Sequence, residues 1–161
     1  IAGRAEYIDI LSHHPLLRAV RVDKLTLAAL EGTLLDYTAG RPQQDIPVQR
    51  MLNTPDEVLA ERAAALAGLL APLPGWTVDV QPSLSQAGGG SLPAVDLPGW
   101  CVRVRSDALN AAAAEARLRR RQVPVIVRVN DDSIILDVRC LSDRDLAEIR
   151  QAFAEIEGSA L

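Results

Sequence analysis

The hydrophobic period of this chain changes at Trp76, and that change constrains the fold more than any other feature. Before it, apolar residues recur at helical spacing. Leu27, Leu30, Leu34 and Tyr37 form one stripe, and Leu59, Ala63, Leu66 and Leu70 form another. After it, "WTVDVQP" (76–82) and "WCVRVRS" (100–106) alternate, with Trp100, Val102 and Val104 on one side and Arg103 and Arg105 on the other. "VPVIVRVN" and "SIILDVRC", joined by "NDDS", read as a hairpin. Helices are expected over 3–13, which Pro15 stops, over 22–38, and over 107–121 with Ser106 or Asp107 as cap. One starts at Thr54, with Pro55 at its first position and Glu57 completing a capping box. A last one follows Ser142, its stripe Leu146, Ile149, Phe153 and Ile156. "AGRPQQDIP" breaks the pattern, "VQRMLN" is ambiguous, and "SLSQAGGGSLPAVDLPG" reads as a glycine-rich loop.

The order is a helical arm followed by α-β-β-α-β-β-α. It predicts an α+β fold, one sheet of about four strands with helices mainly on one face. The expected division is an arm, 1–50, and a C-terminal domain, 51–161. The arm is too open to close a core alone and is expected to pack on something outside this chain. With 161 residues, 48% hydrophobic, a packed core is within reach and disorder is not expected. A net charge of −4 argues against a nucleic-acid footprint over the whole chain. Two cysteines, Cys101 and Cys140, make no disulfide framework, so a reducing cytoplasm is expected, with both residues buried or half-buried. No apolar run approaches the roughly 20 residues of a membrane span. The start, "IAGRAEYIDIL", has neither initiator Met nor signal pattern and reads as that of a fragment or processed chain.

Arg18 and Arg21 are the leading functional candidates. Guanidinium groups offer fork-shaped donors matched to phosphate or carboxylate. Two of them near a helix start, where free N–H groups point outward, would make an anion pocket. Solvated charge on a turn is the competing reading. Gly88, Gly89, Gly90 and Ser91 permit close backbone approach but match no phosphate-binding fingerprint, and a flexible connection explains them too. The arginines of "RLRRRQ" (117–122) complement a helix dipole, with RNA contact as the minor reading. Arg128 and Arg139 lie on the hairpin strands, facing a substrate or simply the surface. His13 and His14 lack the spacing of a metal site, and no Ser-His-Asp or Cys-His arrangement supports a hydrolase.

Taken together, "HPLLRAVRVDKLTLAALEGTL", "IPVQRML", "SQAGGGSLP", "PVIVRV" and "ILDVRCL" resemble, in this order, the C-terminal part of bacterial selenocysteine synthases, the L-seryl-tRNA(Sec) selenium transferases. The resemblance covers essentially the whole chain. It implies a fold-type I enzyme dependent on pyridoxal phosphate (PLP), working as a dimer or ring of dimers. Such an enzyme converts seryl-tRNA(Sec) to selenocysteinyl-tRNA(Sec) with selenophosphate as donor. It further implies that Arg18 and Arg21 hold the selenophosphate-like anion. The Schiff-base lysine of the family would lie upstream of Ile1. Lys24, the only lysine here, matches a different family position.

Arg128 and Arg139 could then face tRNA or support the sheet. The chain by itself would be an inactive piece that binds no PLP. The alternatives are a related PLP ammonia-lyase acting on a small phosphorylated or amino-acid substrate, and a non-catalytic assembly module.

Overall fold

The computed structural model describes residues 2–88, 92 and 95–158. The chain divides into two compact units, Ile1–Arg50 and Met51–Leu161. The first holds α1 (Ala5–Ser12), a 3-10 turn (Pro15–Arg18), α2 (Lys24–Thr38) and the single-turn α3 (Pro42–Asp45). α4 (Pro47–Asn53) follows and crosses the boundary. No described residue of the first unit is buried. The α2 stripe is helical as expected, yet Leu27, Leu30, Leu34 and Tyr37 stand 53%, 54%, 53% and 46% exposed within this chain.

The second unit runs α5 (Asp56–Leu70), β1 (Trp76–Gln86), β2 (Asp96–Ser106), α6 (Ala111–Arg120), β3 (Arg128–Asn130), β4 (Ser133–Asp137), a 3-10 turn (Val138–Cys140) and α7 (Asp143–Gly158). The four strands form one antiparallel sheet in the order β1-β2-β4-β3. α5 and α6 pack on the sheet, and α7 packs on both of these helices. Leu59, Ala63, Leu66 and Leu70 of α5 are fully buried, with Leu146, Ile149, Phe153 and Ile156 of α7 and Val102, Val104, Ile134 and Leu136 of the sheet. Trp76 meets Phe153 edge-on, ring centres 5.0 Å apart. Of the three helical stripes read from the sequence, those of α5 and α7 are therefore core, and that of α2 is not buried within this chain.

Several boundaries differ from expectation. α5 starts one residue later than a Thr54 cap requires: Pro55 is the cap residue, and no side chain caps the helix there. Ser106 stays in β2 and its hydroxyl accepts from the N–H groups of Ala108 and Leu109. That local turn delays α6, which Asn110 caps through Ala113 N–H at 2.8 Å. Most of "VPVIVRVN" is not strand. Its Val125 N–H donates to Leu118 C=O at the end of α6, and Arg121 donates to Val123 C=O, so only Arg128–Asn130 reach the sheet. "VQRMLN" proves helical, within α4.

The glycine-rich loop is shorter than its composition suggests. β1 and β2 remain paired out to Gln86↔Asp96. Pro82 pairs with Trp100 and Pro98 with Leu84. These two pairs have the same parity, so one pleat places both prolines where the missing N–H faces away from the partner strand. β4 reaches only to Cys101↔Asp137, leaving β2 without a neighbour on that side from Trp100 back. The β3–β4 turn is Asp131–Asp132, both left-handed (φ 46° and 48°), the two-residue turn that matches strand twist. Asp132 Oδ1 also accepts from Ala111 N–H at 2.8 Å, fastening the turn to the start of α6. Among the described residues, no helix is long and apolar enough to cross a membrane.

Candidate functional site

The segment carrying Arg18 and Arg21 is built by local capping. His14 Nδ1 accepts from Leu16 N–H at 3.2 Å, and Pro15 starts the 3-10 turn that ends at Arg18. Asp23 then starts α2. Its Oδ1 accepts from Leu25 N–H (2.8 Å) and Thr26 N–H (3.0 Å), and its Oδ2 accepts from Thr26 Oγ1–H (2.8 Å). These bonds, those of Thr26 foremost, hold the Asp23 carboxyl below its usual range. The expectation of free N–H groups at this helix start is corrected for Leu25 and Thr26, whose N–H groups the Asp23 carboxylate already occupies. Arg18 and Arg21 are both exposed, and neither has a hydrogen bond or ion pair among the described residues. What remains is two permanent, unpaired positive charges three residues apart, a donor set for an oxyanion.

The other candidates lie in the second unit. Arg128 is exposed on β3, paired in register with Ile135. Arg139 sits in the 3-10 turn after β4, only 8% exposed. Its guanidinium donates to Met51 C=O at 2.9 Å and to Pro98 C=O. Pro98 lies on the stretch of β2 that β4 does not reach, so Arg139 supplies the donor a neighbouring strand would have given. The reading of Arg139 as a surface strand charge is corrected: it is a buried support of the sheet. Gly99 makes room for it, since a Cβ there would fall 3.0 Å from Arg139 Nη2 and 3.2 Å from Leu59 Cδ1. Gly88 is exposed, while Gly89, Gly90 and Ser91 lie outside the described residues.

Arg128 and Arg139 both act on Cys140. Partial desolvation of the sulfur, then Asp137, push the Cys140 thiol up although the residue as a whole is exposed, and the two arginines only partly oppose them. A raised thiol stays protonated near neutrality, which suits neither a nucleophile nor a metal ligand. Cys140 is exposed, not buried or half-buried as expected, whereas Cys101 is buried. Among the described residues, no three His, Cys, Asp or Glu side chains cluster as a metal site.

A PLP site needs a lysine amine and a cradle for the phosphate. Lys24 is exposed at the first residue of α2. A groove of about 350 Å³ in the second unit is lined by Asp56, Pro82, Ser83, Leu84, Pro98, Gly99 and Trp100, and its one carboxylate already accepts from Trp100 Nε1–H. The described residues of this chain do not fit PLP. Two residues escaped the sequence reading. Asp23 carried a usable signal, an N-cap residue ahead of a helical run. Gly99 carried none, because it stands at the end of the stretch 83–99 that reads as loop.

The family model described as "SelA: L-seryl-tRNA selenium transferase" matches residues 1–142. Curated relatives named L-seryl-tRNA(Sec) selenium transferase include those of Hyphomonas neptunium (45% identical over 159 residues) and Aquifex aeolicus (37% over 156), each covering 97% of this chain. That of Moorella thermoacetica is 40% identical over 163 residues, covering 99%. The chain spans 34–35% of the length of these relatives. A solved structure titled "Structure of D-Glucosaminate-6-phosphate Ammonia-lyase" superposes with a TM-score of 0.59 at 23% identity, over 99% of this chain and 39% of that one. This likeness shows a shared fold.

Proposed function

We propose, for a chain that belongs to the L-seryl-tRNA selenium transferase family, that it is the C-terminal region of an enzyme converting seryl-tRNA(Sec) to selenocysteinyl-tRNA(Sec) with selenophosphate as donor. One observation carries this reading: the family match includes Arg18 and Arg21, and their guanidinium groups are unpaired. In this reading they bind the anionic donor and orient it, a positioning task that lowers the barrier by fixing the geometry of approach. Asp23 takes the Leu25 and Thr26 N–H groups at the start of α2, which leaves the two guanidinium groups as the donors this reading assigns to the anion. PLP, when bound to the full-length protein, supplies the electron sink for chemistry at the seryl carbon. Its lysine belongs to a part of the protein outside this chain, and the chain alone is inactive. The full-length enzyme is read as a cytoplasmic homo-oligomer, a dimer or a ring of dimers.

The test is the visible absorption of the full-length protein before and after addition of seryl-tRNA(Sec), with free serine as control. A cofactor band that shifts only with the charged tRNA supports the transferase. A band indifferent to seryl-tRNA(Sec) favours a PLP lyase of a small phosphorylated substrate, for which the same arginine pair would serve. No band at all favours an assembly module.

A further inference from the structure

Between Ile10 and Leu30 the sequence holds one carboxylate, Asp23, and two arginines just ahead of it. An acidic side chain two residues from Arg21 and five from Arg18 is the obvious ion-pair partner for either. A paired guanidinium would have to break that pair before accepting an anion. The pair is nevertheless absent. All three hydrogen bonds that the Asp23 carboxylate makes are turned onto α2, two from backbone N–H groups and one from the Thr26 hydroxyl. Oδ2, the oxygen that does not cap the backbone, is held by Thr26 Oγ1 alone.

We propose that Thr26 is a positioning residue for the anion site: it holds the Asp23 carboxylate on the helix, so that Arg18 and Arg21 stay unpaired. The inference rests on the anion-binding reading above and adds to it the device that keeps the site open. Asp23 then has two effects. As a cap it fixes where α2 begins; as a charge it would compete with the donor if released. Thr26 separates the two effects.

The experiment is calorimetric titration of the full-length protein with inorganic phosphate. It compares wild type with Arg18→Ala, Thr26→Val, Asp23→Asn and the double variant Thr26→Val/Asp23→Asn. Val is close to Thr in shape but has no hydroxyl, and Asn keeps an oxygen to cap the backbone without the charge. Arg18→Ala should weaken phosphate binding roughly tenfold or more, the scale of a lost charge-assisted hydrogen bond. Thr26→Val should weaken it about threefold, the scale of one exposed ion pair. Asp23→Asn should bind phosphate at least as tightly as wild type, and the double variant should match Asp23→Asn.

Cancellation of the Thr26 effect once the charge is gone is a result that a purely structural cap would not give. A Thr26→Val protein that binds like wild type overturns the inference and leaves the anion site standing. A loss that persists in the double variant also overturns it, assigning Thr26 to helix capping alone. If wild type binds no phosphate, or Arg18→Ala binds as wild type does, the anion-site reading itself fails.

Discussion

Arg139 shows how a charge can be committed to structure. A buried guanidinium is tolerated when its donors are used, and here two of them meet the backbone carbonyls of Met51 and Pro98. Replacing Arg139 by Ala removes the donor that both carbonyls use and should lower stability by about 2–4 kcal/mol in chemical denaturation. Arg128→Ala, at an exposed edge position, should stay within about 0.5 kcal/mol of wild type. Gly99→Ala should destabilise in the same assay, because Arg139 Nη2 and Leu59 Cδ1 must both give way. If Arg139→Ala were as stable as wild type, Arg139 would return to the list of residues available for substrate or tRNA. None of this was legible in "ILDVRC": an arginine near a strand end gives no sign of which carbonyls lie within its reach.

At the scale of elements, periodicity proved more reliable than punctuation. The stripes of α5 and α7 were readable because a 3.6-residue repeat reports directly which side is buried. Their ends were harder to read, because short polar side chains serve turns as readily as helices. Ser106 capped the turn that follows β2, and the Thr54 capping box gave way to Pro55. β1 and β2 were underestimated because prolines and glycines read as breaks, whereas a proline is admissible where its missing N–H faces outward.

The β3–β4 hairpin carries a prediction of its own. Asp132 combines a left-handed backbone with a side-chain cap on Ala111, so Asp132→Ala loses the cap and worsens the turn. It should cost about 1–2 kcal/mol, against near-neutrality for Asp132→Asn, measured by thermal unfolding.

Over the whole molecule the two units differ in kind. The second closes a core; among the described residues of the first none is buried, and the exposed α2 stripe supports the proposal that the arm packs on something outside this chain. Electrostatics bind the second unit across its helices. Arg121, at the end of α6, reaches Glu148 at 2.7 Å and Glu155 at 2.8 Å, both on α7. Arg121 holds the Glu155 carboxyl below its usual 4.5, and Ser142 likewise lowers Asp145 below 3.8. For carboxyls depressed in the folded state, the stabilisation is present above the unfolded pKa and is lost as pH falls through the folded one. Stability should therefore hold from neutrality down to about pH 4.5 and decline below it. Glu155→Gln should flatten that decline in denaturation curves taken at pH 7, 4.5 and 3. An unchanged slope would assign acid sensitivity to other carboxyls.

The placement of Pro82 bears on solubility. β1 is an edge strand of eleven residues, long enough to recruit a strand from another molecule and begin a fibril. With Pro82 turned outward, the row of donors along that edge is broken between Val80 and Leu84, so a recruited strand cannot zip along its length. A chain with Val at this position would keep the fold and lose the gatekeeper.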